Sequence, residues 1–153
     1  MIIYRFAHKK FAGDLSGTGA KLNGGRWNFT GIPVVYSSEH ISLGLLEILA
    51  NANTLDDLQN IQLLEIEVPA QCKPDEIKIE KLKKNWYQDF DYSRYIGSEL
   101  LKLNNSLLIK CPSAVISREH NYLLNPLHPD IKKVKLKTIQ DFYFDERLFK
   151  NNE

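Results

Sequence analysis

Four side chains in the first third of the sequence have the types that nucleotide chemistry uses. Arg5 stands in an apolar opening run, Arg26 follows two glycines, Tyr36 ends a short apolar run, and Glu47 sits inside another. Arg26, Tyr36 and Glu47 are spaced by ten and eleven residues. A loop, a strand and a helix in succession can fold three side chains at that spacing toward one cleft. The chemistry suggested is recognition of an anionic, aromatic, sugar-bearing ligand. Guanidinium forks bind phosphate oxygens two at a time, and glycines let the backbone come close. A tyrosine ring stacks on a planar base. A carboxylate beside a ribose accepts a hydroxyl hydrogen bond and stabilises positive charge at the anomeric carbon. The plainer reading of "GGRWNFTGIPVVYSS" is a hairpin loop whose Arg26 faces water and whose Trp27 covers the core. The residues alone leave both readings open.

The elements that must position these groups follow from periodicity. Ile2 to Phe6 reads as a first strand and Pro33 to Ser37 as a second. Residues 12 to 31 hold six of the eight glycines, which predicts a long irregular loop between them. Ser37 or Ser38 is expected to cap a helix over "EHISLGLLEILANA", with Ile41, Leu45, Ile48, Leu49 and Ala52 on one face. No other charge lies between Ile41 and Ala50, so this helix is expected to be buried on both sides. Glu47 would then occupy a confined, mostly apolar spot, with Gly44 leaving room for something to approach.

Ile61 to Val68 alternates as a half-buried strand. "PAQCKPDEIKIEKL" reads as a connection with a short extended piece. Asp91 is expected to cap a helix from Tyr92 to about Leu103, with Ile96, Leu100 and Leu103 inward. Leu107 to Ile109 and Ala114 to Ile116 are short strand candidates. "NYLLNPLHPD", with two prolines, reads as a rigid loop. Val134 and Leu136 alternate with lysines as a strand, and "DFYFDERLF" closes the chain as a strand or aromatic clamp. Strands outnumber helices without regular alternation, so the class expected is α+β, one domain over residues 1–153.

Composition narrows the function. The chain has 153 residues, 43% hydrophobic and 25% charged, enough for a core without disulfides. A net charge of +1 gives no electrostatic argument for nucleic acid or an anionic membrane. No signal peptide and no apolar run of membrane-spanning length is read, so a cytoplasmic protein is expected. His8, His40, His120 and His128 are scattered, so no metal site is expected. "GTGAKLNGG" is glycine-rich, but it does not follow a strand and open a helix as a dinucleotide fingerprint does. Cys72 and Cys111 are isolated, and no sequence-local base marks Cys111 as a nucleophile.

Two long stretches, "GAKLNGGRWNFTGIPVVYSSEHISLGLLEIL" and "CPSAVISREHNYLLNPLHPD", with "YRF" near the start, resemble the RES domain family, named after its Arg, Glu and Ser. The resemblance covers nearly the whole chain, least distinctively over residues 70 to 106. It implies a fold like that of ADP-ribosyltransferase toxins: a split, strongly bent mixed sheet with flanking helices around an NAD cleft. It implies the toxin of a bacterial toxin–antitoxin pair that degrades NAD at the nicotinamide–ribose bond, by hydrolysis or phosphorolysis. In some members it implies ADP-ribosylation of a protein instead. By position Arg26, Tyr36 and Glu47 fall on the family's active-site trio, Arg5 on its first-strand arginine and Ser113 on its serine. Asn121 and Asn125 lie in the second motif and are expected to shape the cleft. Phe6 stands where some relatives place a tyrosine. The partner implied is an Xre-type helix-turn-helix antitoxin that blocks the cleft, within a dimer or larger complex. A ribonuclease toxin, or a module that binds a nucleotide without cleaving it, are the competing readings.

Overall fold

The computed structural model describes residues 1–149; positions 150–153, which the one-domain reading also covers, lie outside the described residues. Strands β1 (Ile2–His8), β2 (Val35–Ser38), β3 (Ile61–Glu67), β4 (Asp75–Glu76), β5 (Leu108–Pro112), β6 (His120–Leu124) and β7 (Lys135–Asp141) form one sheet in the order β4-β5-β6-β2-β1-β3-β7. The β4–β5 pair is parallel and every other pair antiparallel. Among the described residues three α-helices accompany them: α1 (Thr18–Asn23), α2 (Ile41–Asn51) and α3 (Phe90–Leu103). The α+β class is as expected. No helix among the described residues is long and apolar enough to cross a membrane.

Alternation along the strands separates two cores. Val35, Leu108 and Leu124 point to one face, with Ile3, Leu64 and Ile66. Ile109 and Leu123 point to the other, under α3, with Trp27, Trp86 and Leu101. The sheet narrows in its middle. β1 and β3 pair along seven consecutive positions, from Ile2↔Glu67 to His8↔Ile61. β1 and β2 meet only at Tyr4↔Ser38. The sheet is therefore two wings joined at one residue pair, and the split between them opens the cleft.

Several elements differ from the sequence reading. Residues 12–31 are not wholly irregular, because Thr18–Asn23 forms a short helix. Ser37 and Ser38 are buried strand residues, and the N-cap position of α2 is His40, whose side chain makes no capping bond. α2 is not buried on both sides. Leu43 and Gly44 pack inward, while Ile41 and Leu46 stay 37% and 38% exposed, because the helix rests on the sheet through one edge only. α3 begins two residues earlier than expected: the Asp89 carboxylate, not that of Asp91, accepts the Tyr92 amide at 3.1 Å. Its deeply buried positions are Ser93, Gly97, Ser98 and Leu101, and Leu103 is 63% exposed. Ala114–Ile116 is a turn, whereas residues 121–124, expected as loop, belong to β6, the strand between β5 and β2.

Candidate active site

The cleft at the split has a volume of about 630 Å³, within the ~300–1,000 Å³ range of small-molecule sites. β1 contributes Tyr4, Arg5 and Phe6; β2 contributes Tyr36 and Ser38; α2 contributes Glu47; and the loop before β2 contributes Gly25 and Arg26. Asn121 of β6 and Phe90 and Arg94 of α3 complete the wall.

Glu47 is held by residues far along the chain. Its Oε1 accepts the Ser113 hydroxyl at 2.6 Å and the Asn121 amide at 2.6 Å. Asn121 is held in turn, its Oδ1 accepting the Ser38 hydroxyl at 2.7 Å. Ser113 Oγ accepts the amides of Val115 and Ile116, both at 3.1 Å, so the turn after β5 fixes the hydroxyl's direction. The carboxylate therefore has one oxygen fastened by two donors, a charge-assisted arrangement. Its other oxygen takes no hydrogen bond from the described residues, and the side chain borders the cleft.

Tyr36 is engaged differently from the stacking wall expected. Its hydroxyl donates to Asn28 Oδ1 at 2.6 Å and accepts the Trp27 amide at 3.0 Å. Asn28 is fully buried, and its amide also donates to the carbonyls of Ala20, Phe29 and Ile32. The phenol thus clamps the loop that carries Arg26. Burial pushes its pKa far above the ordinary tyrosine value, so it stays protonated at neutral pH. Gly25 is required at the same place: a Cβ there would lie 2.6 Å from the Tyr36 hydroxyl. The space the glycine leaves is filled by tyrosine, not left for a ligand. Gly44 behaves alike, since a Cβ would meet the Phe6 ring at 3.1 Å.

Arg26 lies with its guanidinium 4.5 Å from the Phe90 ring centre, and its Nη1 donates to the Tyr87 carbonyl at 3.1 Å. Burial holds its pKa below the ordinary arginine value, Glu47 partly offsets this, and Arg94 adds to the lowering. Arg5 Nη1 donates to the Asp14 carbonyl at 2.9 Å, and burial lowers its pKa against the pull of Asp14. Alternation along β1 puts Arg5 on the face of Ile3 and Ala7, while Tyr4 shares the face of Ser38 and Asn121.

Trp27 is 2% exposed and stacks on Trp86 at 5.3 Å, which makes it a loop anchor. Asn125 is buried away from the cleft. Its amide donates to the Leu101 carbonyl and to Asn104 Oδ1, so it fastens α3 to the end of β6 and does not shape the site. Cys111 is fully buried, with its thiol pKa pushed up by burial and then by Glu47, the opposite of an activated nucleophile. No cluster of three metal-ligating side chains exists among the described residues.

Arg94 is the cleft residue that sequence reasoning missed. Its Nε donates to the Gly25 carbonyl at 2.8 Å. The same face of α3 supports the Arg26 loop at three more places. Ser93 Oγ donates to the Arg26 carbonyl at 2.6 Å, and the Phe29 amide donates to Ser98 Oγ at 3.0 Å. Gly97 lies against the Trp27 backbone, where any Cβ would collide. The available signal was a stripe of small residues, Ser93, Gly97 and Ser98, on a helix otherwise read by its apolar side.

The family model described as "RES domain" matches residues 2–145. A protein named Toxin Res from Photorhabdus laumondii is 36% identical, covering 98% of each chain. The Prs ADP-ribosylating toxin of a Sphingobium species is 33% identical over 91% of this chain and 89% of its own. A chain in the crystal structure of the M. tuberculosis MbcT–MbcA toxin–antitoxin complex shares the fold, with a TM-score of 0.74 at 17% identity over 92% of this chain and 83% of that one.

Proposed function

Since the chain belongs to the RES domain family, we propose that it is the toxin of a bacterial toxin–antitoxin pair and that it destroys NAD by breaking the nicotinamide–ribose bond. The observation that carries this reading is Glu47: a carboxylate with one oxygen fastened by Ser113 and Asn121, the other taking no hydrogen bond from the described residues, in a cleft bordered by Arg5, Arg26 and Arg94. Cationic walls with a single fixed anion suit a substrate with a diphosphate at one end and a developing cation at the other.

In the proposed reaction the arginines hold the pyrophosphate and the Tyr36 ring borders the ribose. The bond between the anomeric carbon and the nicotinamide nitrogen breaks, and nicotinamide leaves with the electron pair. The ribose becomes oxocarbenium-like, the charge that glycosidases meet with carboxylates. Glu47 stabilises that charge, or orients the water or phosphate that then adds to the anomeric carbon. Ser113 and Asn121 act through Glu47 by fixing where its negative charge lies. Tyr36 acts through the loop, since its protonated phenol cannot serve as a base.

Transfer of ADP-ribose to a protein is the second reading, supported by the name of the Sphingobium relative. The acceptor differs but the bond broken is the same. An enzyme that drains cytoplasmic NAD needs an inhibitor. The partner proposed is an Xre-type helix-turn-helix antitoxin that covers the cleft, consistent with the toxin–antitoxin complex in which the fold recurs.

Purified protein incubated with NAD, with and without phosphate and lysate, and followed by mass spectrometry tests this directly. Free nicotinamide with ADP-ribose, with its 1-phosphate, or with a modified protein distinguishes the three outcomes. Glu47→Gln keeps the shape and an oxygen for Ser113 and Asn121, and it should lower turnover by roughly a hundred- to a thousandfold. Wild-type turnover in that variant would remove Glu47 from the mechanism.

A further inference from the structure

Phe90 carries two cations. Its ring, 48% exposed, lies 4.5 Å from the Arg26 guanidinium and 5.3 Å from that of Arg94, which is one helical turn further along α3. Each arginine spends one N–H on a backbone carbonyl, Arg26 on Tyr87 and Arg94 on Gly25. These contacts tie each arginine to the wall without using up the donors, because a guanidinium has five N–H groups. Neither arginine is within ion-pair distance of a carboxylate among the described residues. Two like charges against one aromatic ring repel each other, and Arg94 contributes to lowering the pKa of Arg26. Both border the same cleft. Such a pair is completed by an anion with oxygens on two adjacent centres.

We infer that Arg94 and Arg26 form a two-armed diphosphate grip, and that Arg94 is the specificity-determining residue that makes the site prefer a dinucleotide to a mononucleotide. The inference rests on the reading of the cleft as an NAD-consuming site. One arm suffices for the single phosphate of nicotinamide mononucleotide, and the second adds only when a second phosphate is present. Phe90 lies against both arms, and Ser93 and Gly97 keep the Arg26 loop against the helix that carries Arg94.

The test compares Arg94→Gln and Arg94→Lys with wild type. Two measurements are made: kcat/KM for NAD and for nicotinamide mononucleotide, and calorimetric binding of inorganic pyrophosphate. Losing a charge-assisted bond to phosphate should lower the NAD-over-mononucleotide preference of Arg94→Gln by roughly ten- to a hundredfold, mainly through KM. Pyrophosphate binding should weaken by a similar factor and recover in part in Arg94→Lys, which keeps one charge. An equal fall in kcat/KM for both substrates would reduce Arg94 to loop support and overturn the proposal. So would unchanged pyrophosphate affinity in Arg94→Gln. If wild type fails to consume NAD yet binds pyrophosphate through Arg94, the grip stands and the proposed reaction falls.

Discussion

Replacing Tyr36 by Phe removes one oxygen and keeps the ring. The structure assigns two hydrogen bonds to that oxygen, from the Trp27 amide at 3.0 Å and to Asn28 Oδ1 at 2.6 Å. Trp27 is 2% exposed and Asn28 not at all, so neither group gains water when the hydroxyl goes. Leaving a buried donor or acceptor unsatisfied costs about 1–3 kcal/mol, and two of them together roughly 2–5 kcal/mol. With a mid-range urea slope of about 2 kcal/mol per molar, the unfolding midpoint should fall by roughly 1–2.5 M. Equilibrium urea unfolding followed by the fluorescence of the stacked Trp27 and Trp86 measures this. Because the Arg26 loop loosens while the ring stays, NAD turnover should lose mainly in KM. A variant with the wild-type midpoint and no turnover would refute this reasoning, since the phenol would then act in chemistry and not as a clamp.

Ser113→Ala frees one of the two donors on Glu47 and should lower kcat roughly ten- to a hundredfold with KM nearly kept, measured by nicotinamide release. Gly97→Ala forces a methyl group against the Trp27 backbone. It should destabilise by about 3 kcal/mol or more and weaken the near-ultraviolet circular dichroism of the tryptophan stack. A buried Cys111 thiol whose pKa is raised by folding stabilises the fold fully below the unfolded value of about 8.5, and this contribution is lost as pH rises through it. Tyr36, raised in the same direction, adds to the loss above about pH 10. Stability should therefore fall by about 1.4 kcal/mol per pH unit for each group. Urea midpoints between pH 8 and 10 should show a shallower decline in Cys111→Ala, and parallel curves would discount the thiol.

What could be read from the sequence was what is local. β3 announces itself because one face is buried and the other is not, so its side chains alternate. β6 hides because Tyr122, Leu123 and Leu124 are all buried, which leaves a continuous apolar run beside Pro126 and Pro129. Its partners β2 and β5 are known only from pairing across the chain. Spacing and resemblance put Arg26, Tyr36 and Glu47 at one cleft, which they border together with Asn121, whereas Ser113 reaches it through its bond to Glu47. The uses of Tyr36 and Gly25 were not legible, because the oxygen that fills the glycine's space comes from a strand whose approach no local pattern encodes. Arg94 escaped for the same reason. On a helix read by apolar spacing a lone arginine looks solvated, and only the close contact at Gly97 turns that face toward the loop.

The Glu47 carboxylate takes its fixed position from Ser113 and Asn121, 66 and 74 residues later in the chain. At a synthesis rate of ~5–20 residues per second, Asn121 joins the chain roughly 4–15 s after Glu47 does. Until then the emerging polypeptide has the acid but nothing to aim it. Fragments that stop short of β6 should leave the cell's NAD untouched, however many arginines they contain. A translating ribosome would thus handle a harmless chain until late in its synthesis, and an inhibitor made alongside it would have those seconds in which to arrive.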